Sequence, residues 1–340
     1  MNKRPSYLFV CLTFLFIISL PQLILAQKKD LNNPDYYETY PDKITGRIYL
    51  SQKYAHYNFP ANSGNMEDME YKANPKLNLG AGITLHHFSV NLFYGFAFLN
   101  KKDEPKGETK GLNLQVHLYP QKWAIDLYGE FPKGLHLEPK GFANNDPNKF
   151  YYRPDIKGTL VGLSVYRVPN KEKFSYRAAI NQTEWQKKSA GSLLYGGNMY
   201  YGSMQGDSSL VPAMIQGSYP QAGINKINFF SIGPGAGYAH TFVIDKHFFI
   251  TGSMVGNLNL NFTKEESGSS NSKVALSPAT VFKAALGYNS SNWNVSANWT
   301  GNGIWFKGSA TTKDYFWPSG NYKLVIAKRF KVHHNEHRHS

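Results

Sequence analysis

Trp293-Asn294-Val295-Ser296-Ala297-Asn298-Trp299-Thr300-Gly301-Asn302-Gly303-Ile304-Trp305 decides the fold of this chain. Apolar side chains hold the odd positions Trp293, Val295, Ala297, Trp299 and Trp305, and Asn294, Ser296, Asn298, Thr300 and Asn302 hold the even ones. Successive side chains of a strand point to opposite faces. One face is therefore apolar with tryptophan near each end, and the other is a ladder of small polar groups. A strand of a transmembrane β-barrel has this pattern, with lipid outside, a polar lumen inside and aromatic girdles at both interfaces.

The same alternation returns along the chain and predicts about 12 antiparallel strands, at residues 43–59, 76–86, 88–99, 110–119, 123–131, 156–168, 173–184, 226–243, 247–262, 274–288, 292–306 and 320–330. Long polar connections at 60–75, 100–109, 132–155, 185–225, 263–273 and 307–319 alternate with tight turns at 87, 120–122, 169–172, 244–246 and 289–291. Barrels of the bacterial outer membrane have long outer loops and short periplasmic turns. The even count places both termini in the periplasm. Residues 192–204 could form a further strand; 185–225 is read instead as one long outer loop with a hairpin-like part, and 263–273 as a solvated, mobile loop. The last strand aligns Tyr322, Leu324, Ile326 and Phe330 on one face, the aromatic terminal strand that barrel assembly machinery recognises; Lys328 interrupts it near the end.

Lys3 and Arg4, an apolar run over 7–20 and Ile24-Leu25-Ala26 before Gln27 form a secretory signal. The predicted organisation is a signal peptide at 1–26, a periplasmic segment at 27–42, the barrel at 43–330 and a His-rich tail at 331–340. Cys11, the only cysteine, leaves with the signal. No other stretch offers the roughly 20 apolar residues of a membrane helix. The negative mean hydropathy of -0.44 is compatible with a barrel, half of whose strand residues are polar. The formal charge is +14, or +12 without Lys3 and Arg4. A basic balance suits nucleic acid, anionic lipid or anionic solutes. The export signal excludes nucleic acid and leaves outer-membrane lipid, lipopolysaccharide and small solutes as partners.

Applied strand by strand, the alternation sends Arg47, Lys53, His117, Asp126, Glu130, Arg177, Lys283, Lys323 and Arg329 to the lumen. Arg47, Asp126, Glu130, Arg177, Lys283 and Lys323 are the constriction candidates. Arg47, Asp126 and Arg177 should sit at similar depth, each about four residues from the periplasmic end of its strand. Rings of Arg and Lys select anions. The competing arrangement, ranked ahead, pairs Asp126 and Glu130 with these cations in a network that fills the lumen, because an unpaired buried charge is costly. The inner face Ser231, Gly233, Gly235, Gly237, Ala239 leaves space for water, bulky neighbours or an inward-folded loop.

Catalytic signals are weak. Gly206-Asp207-Ser208-Ser209-Leu210 echoes a lipase block but lacks its strand-to-helix context, and no Gly-x-Ser-x-Gly elbow is present. His240 falls on the lipid face beside Tyr238 and Phe242 without an adjoining serine, and His86-His87 marks a turn. His333 and His337, with His334 and His339, have zinc-like spacing but sit on a charged tail without a supporting shell. No metal site, cofactor or catalytic residue is expected.

Several blocks carry a family resemblance: Tyr37-Glu38-Thr39-Tyr40, Ile44-Thr45-Gly46-Arg47, Phe174-Ser175-Tyr176-Arg177, Ser189-Ala190-Gly191-Ser192, Gly206-Asp207-Ser208-Ser209-Leu210 and Gly233-Pro234-Gly235-Ala236-Gly237-Tyr238. Together they resemble an uncharacterised Gram-negative outer-membrane β-barrel family, a domain-of-unknown-function family. The resemblance spans nearly all the mature chain and implies a single barrel domain without an established activity. The expected function is a narrow, anion-leaning pore or transport protein. The alternatives are a lipid-modifying enzyme, suggested only by strand number, and a binding or adhesion barrel using its long loops.

Overall fold

The computed structural model describes residues 32–61, 67–85, 88–100, 105–120 and 122–331. The signal segment 1–26, His86-His87 and the tail histidines His333 and His337 lie outside these residues. The elements in order are β1 (Tyr37–Thr39), β2 (Lys43–Phe59), β3 (Met69–Lys72), β4 (Asn78–Leu85), β5 (Phe88–Tyr94), β6 (Lys110–Leu118), β7 (Trp123–Glu138), β8 (Tyr152–Arg167), α1 (Tyr176–Ala179), β9 (Glu184–Gln186), β10 (Ala190–Gln205), β11 (Lys226–Ile244), β12 (Phe248–Ser267), β13 (Ser269–Asn289), β14 (Trp293–Lys307) and β15 (Asp314–Lys331).

Thirteen of these strands form one antiparallel sheet. Ten of them close a ring: β2, β15, β14, β13, β12, β11, β10, β8, β7 and β3, with β3 paired to both β2 and β7. β4 and β5 hang from β2, and β6 hangs from β7, outside this ring. The fold is all-β, and among the described residues no helix is long and apolar enough to cross a membrane.

β14 shows why the alternation closes a barrel. Trp293, Val295 and Trp299 are 44%, 47% and 41% exposed, whereas Asn294, Ser296 and Asn298 are buried inside. The outward belt continues through Ile48 on β2, Leu193 on β10, Phe242 on β11, Met254 on β12, Leu286 on β13 and Leu324 on β15. His240 lies in this belt with its ring against Tyr238 and Phe242.

Eleven of the twelve expected strands are present; the seventh is not. The segment 173–184, expected to be a wall strand after a tight turn, folds instead as α1, a turn and β9, and the wall strand is β10. Residues 192–204 therefore do belong to the wall. They pair with β8 on one side and β11 on the other. The connection from β8 to β10 is the exception to the short-turn rule. The stretch 263–273 also differs from expectation, because β12 and β13 stay paired up to Ser267 and Ser269. Gly268 makes that hairpin tip with φ +80°, a conformation that costs an L side chain about 1–2 kcal/mol.

The lumen is filled in layers. At the end carrying the long loops, Tyr57, Phe59, Tyr71, Phe229, Phe306, Tyr315 and Trp317 form an apolar core inside the barrel. Phe229 stacks on Phe306 at 4.0 Å between ring centroids, and Trp317 stands edge-on to both Tyr57 and Phe306. At the turn end, Tyr119, Tyr166, Phe174, Tyr176, Ile180 and Phe249 form a second core. Polar amides occupy the level between. Asn259 Nδ2 donates to Asn198 Oδ1 (2.8 Å) and Ser231 Oγ (2.7 Å), and the Tyr166 hydroxyl donates to Asn257 Oδ1 (2.8 Å).

The glycine-rich face of β11 is what admits these amides. A Cβ on Gly235 would lie 1.9 Å from Asn257 Oδ1, and one on Gly233 would lie 2.5 Å from Asn259 Oδ1. The space left by the missing side chains is thus taken by asparagines from the next strand.

Candidate functional site

The buried charges sort into a paired set and an unpaired set. Asp126 on β7 and Lys283 on β13 face each other across the barrel at the turn-end core, with Lys283 Nζ 2.5 Å from Asp126 Oδ2. His117 Nδ1 on β6 is 2.7 Å from the other carboxylate oxygen, and the Tyr119 hydroxyl donates to it at 3.0 Å. The Lys283 ammonium also stands 5.0 Å from the Tyr119 ring centre and 4.9 Å from that of Tyr176. Each charge is thereby neutralised and hydrogen-bonded, which is the condition for keeping an ion pair out of water. Lys283 and Asp126 are interior braces.

Arg177, placed by sequence on a wall strand level with Arg47 and Asp126, lies on α1 and not on a wall strand. It belongs to the segment 168–189, which turns back into the barrel mouth as a plug. Its guanidinium pairs with Glu184 at 3.1 Å. Alternate residues of this segment are apolar because Phe174, Tyr176, Ala178 and Ile180 are buried against the barrel interior. Ser175 starts α1, its hydroxyl accepting from the Ala178 amide at 3.1 Å and donating to Glu184. Tyr176 reaches Ser253 on β12 at 2.5 Å between hydroxyl oxygens.

The plug is clamped from the last strand. Arg329 on β15 donates to the carbonyls of Gln182 (2.7 Å), Glu184 (2.9 Å) and Ser290, and to Asn289 Oδ1 (3.0 Å). Asn289 Nδ2 in turn donates to the Glu184 carbonyl at 2.9 Å. Arg329 was expected in the lumen; its role as the holder of a loop could not be read from strand alternation. Outside the mouth, β1 pairs with β9, and Glu38 binds Lys187 at 2.8 Å and the Tyr40 hydroxyl at 3.0 Å. Partial burial pushes the Glu38 carboxyl up, but Lys187 and Tyr40 outweigh it, so Glu38 ionises below the usual 4.5. A cleft beside the plug is lined by Tyr37, Tyr119, Trp123, Tyr176, Arg177 and Glu184.

The remaining candidates form a separate group on the wall. Arg47 on β2 donates to Thr84 on β4 and to Asn91 on β5 at 3.5 Å. Lys53, six residues further along β2, places its ammonium 5.3 Å from the Phe93 ring centre on β5. Lys323 on β15 stands 5.1 Å from the Tyr49 ring centre. Lys323 is near enough to both Arg47 and Lys53 to be repelled by them. Among the described residues, none of these three cations forms an ion pair with a carboxylate. Glu130 on β7 faces Lys53 without bonding it, and its buried Oε2 has no hydrogen-bond partner among the described residues. The pairing network therefore accounts for Asp126, Lys283 and Arg177 and leaves Arg47, Lys53 and Lys323 as a basic cluster. Lys53 was placed in the lumen by alternation, though not among the constriction candidates.

The wall beside this cluster is incomplete. Among the described residues β5 pairs only with β4 and β6 only with β7, and no backbone pairing joins β5 to β6. β3 ties β2 to β7 at the loop end, and below it the two unpaired edges frame a window. Asn91 and Phe93, the inward side chains of the β5 edge, are both exposed. On the β6 edge, Gln115 Oε1 accepts from Asn321 Nδ2 of β15 at 3.1 Å.

The block Gly206-Asp207-Ser208-Ser209-Leu210 has a structural explanation at the loop end. Arg153 donates to the Ser209 carbonyl (2.9 Å) and Ser208 Oγ (3.0 Å) while paired with Asp155, and the Asp207 amide donates to Asp155 Oδ2 at 2.9 Å. Leu210 is fully buried in the loop-end core. Among the described residues there is no group of three His, Cys, Asp or Glu side chains able to hold a metal.

No curated protein sequence matches this one. Solved barrels resemble it at low similarity. The Escherichia coli outer-membrane protease OmpT is 13% identical, covering 87% of this chain and 98% of its own, with a TM-score of 0.36. The translocator domain of the Neisseria meningitidis autotransporter NalP is 7% identical, covering 95% and 96%, with a TM-score of 0.34. The attachment protein Ail of Yersinia pestis is 10% identical, covering 86% and 100%, with a TM-score of 0.20. The family is clear from sequence: over residues 29–330, nearly the whole barrel with its plug, the chain belongs to the domain of unknown function family DUF4421.

Proposed function

We propose that this protein is an outer-membrane β-barrel that binds anionic groups inside its wall, along a path whose axial ends are closed. The outward apolar belt supports the membrane setting, with the loop end outside and the plug in the periplasm. The observation that carries the anion reading is the cluster of Arg47, Lys53 and Lys323, three inward cations with no carboxylate ion pair among the described residues. The cluster keeps an excess of positive charge in a poorly hydrated space, where attraction to an anion is far stronger than in water.

An open porin is not the form this takes. Aromatic side chains fill the loop end and the plug fills the turn end. The narrow anion-leaning pore expected from sequence becomes a gated one, closed until the plug and the loop-end aromatic core both give way. Planar-bilayer recording tests this reading. Intact protein should conduct poorly, and Arg329→Gln combined with Phe306→Ala and Trp317→Ala should raise conductance with a reversal potential favouring chloride over potassium. Adding Arg47→Ala and Lys323→Ala should remove the preference while heat-resistant barrel migration persists. A cation preference in the opened protein, or a chloride preference unchanged by the two added alanines, overturns it.

A further inference from the structure

We infer that the window between β5 and β6 is a lateral entry through which the phosphate headgroup of a membrane lipid reaches the basic cluster. The inference rests on the anion reading of that cluster and adds the ligand and its route. The route follows from what is closed. An anion arriving along the axis meets the aromatic core at one end and the plug at the other. Among the described residues the wall is continuous by backbone pairing from β6 through β7, β8 and β10–β15 to β2, β4 and β5, and unpaired between β5 and β6.

The chemistry of the window changes across its thickness. Val90 and Leu92 on the outer side of β5 are 59% and 74% exposed, and Leu112, Leu114 and Val116 present the same kind of surface from β6. On the inner side, Asn91 is held by Arg47, and Phe93 lies under the Lys53 ammonium. The two cations therefore touch the edge strand itself, and Lys323 stands behind them over Tyr49. Apolar flanks outside and three cations inside match a molecule with acyl chains at one end and an anionic phosphate at the other. The apolar flanks continue the outward belt, so the window opens toward acyl chains and not toward water.

Glycines let the lining side chains pack flat against the sheet. A Cβ on Gly82 would fall 2.1 Å from Asn91 Oδ1 and 3.1 Å from Arg47 Cγ, and one on Gly80 would fall 2.3 Å from the Tyr49 ring. The side chains that line the window occupy the volume these glycines vacate. Glu130, whose buried Oε2 is unpartnered, faces Lys53 from β7.

Titration of the full-length purified protein in uncharged detergent with an acyl-labelled phosphatidate, followed by fluorescence anisotropy, tests the inference. The wild type should bind, and Arg47→Gln with Lys323→Gln should weaken binding at least tenfold without altering heat-resistant migration. The same label on diacylglycerol, which lacks the phosphate, should bind at least tenfold more weakly than phosphatidate. Replacing Leu92 and Leu114 with glutamate, which leaves the cluster intact, should also weaken phosphatidate binding. Inorganic phosphate should compete only at concentrations at least a hundredfold above those of unlabelled phosphatidate. Equal competition by inorganic phosphate overturns the lipid source and leaves the anion site standing. Equal binding of diacylglycerol, or phosphatidate binding indifferent to the cluster or to the window-edge glutamates, overturns the entry itself.

Discussion

Lys283→Met removes the ammonium that neutralises Asp126 in the turn-end core, and the consequence can be worked from the contacts. Asp126 keeps His117 and the Tyr119 hydroxyl, so its carboxylate remains hydrogen-bonded but without its 2.5 Å cation. Breaking a buried pair from one side costs about 3–5 kcal/mol, and the two surviving partners place this case near 3. The reverse change, Asp126→Asn, leaves Lys283 over the Tyr119 and Tyr176 rings. Such contacts retain about 2 kcal/mol when desolvated, so this loss is also near 3 kcal/mol or slightly less. The double variant leaves a neutral amide and a thioether, and removes the cause of both penalties. It should cost about 2 kcal/mol or less, far below the sum of roughly 6, which is the non-additivity expected of contacting residues. Urea unfolding in phospholipid vesicles, followed by tryptophan fluorescence, measures all three variants. A double variant as destabilised as the two singles together would refute the pair as a mutually dependent brace.

Arg329→Gln should loosen the plug, because three carbonyls and one amide oxygen lose a charged donor. At about 1.5–3 kcal/mol per charge-assisted bond, a loss of at least 3 kcal/mol from plug seating is expected. Trypsin cleavage at Lys171, Lys173, Arg177, Lys187 or Lys188 should accelerate at least tenfold, and unchanged cleavage would contradict the clamp. The Glu38–Lys187 link should fail in acid. Because Glu38 ionises below 4.5, its contribution is complete above that pH and fades as the pH falls through the lowered value. Protection of the β1 amides, with intrinsic exchange divided out, should fall as the pH drops through that range in the wild type and be pH-insensitive in Lys187→Met. Gly235→Ala should cost about 1–3 kcal/mol by driving Asn257 from the Tyr166 hydroxyl, read from the same urea titration.

The strands of this barrel were legible wherever the lumen is polar. β14 is the clearest case, since Asn294, Ser296 and Asn298 face inward against an apolar outer row. β10 was missed because its inward positions Leu194, Tyr200 and Met204 pack into the two apolar cores, while Leu193, Tyr195 and Met199 face outward. With both faces apolar, the two-residue period disappears. The reverse error came from 173–184, where Phe174, Tyr176, Ala178 and Ile180 alternate as strand residues do. Their burial comes from insertion into the mouth.

The site was legible in part for the same reason. Alternation gave the inward side of Arg47, Asp126, Glu130, Lys283 and Lys323, because each lies on a regular strand. It could not say which charges pair. The Asp126–Lys283 contact joins strands separated by 157 positions in the chain. Nor could it show the window, since β5 and β6 each look like ordinary wall strands, and what is missing among the described residues is the hydrogen bonding between them.

The position of Arg329 has a consequence for the order of assembly. The plug segment lies in mid-chain, tethered between β8 and β10, but the guanidinium that clamps it arrives on the last strand, the one that also pairs with β2. In the chain, residues 168–189 precede their clamp by about 140 positions. The pairing of β15 with β2 that closes the cylinder also carries the clamp to the plug, so closing the one and seating the other are coupled. A barrel halted before its last strand docks is left with both an open seam and an unclamped stopper.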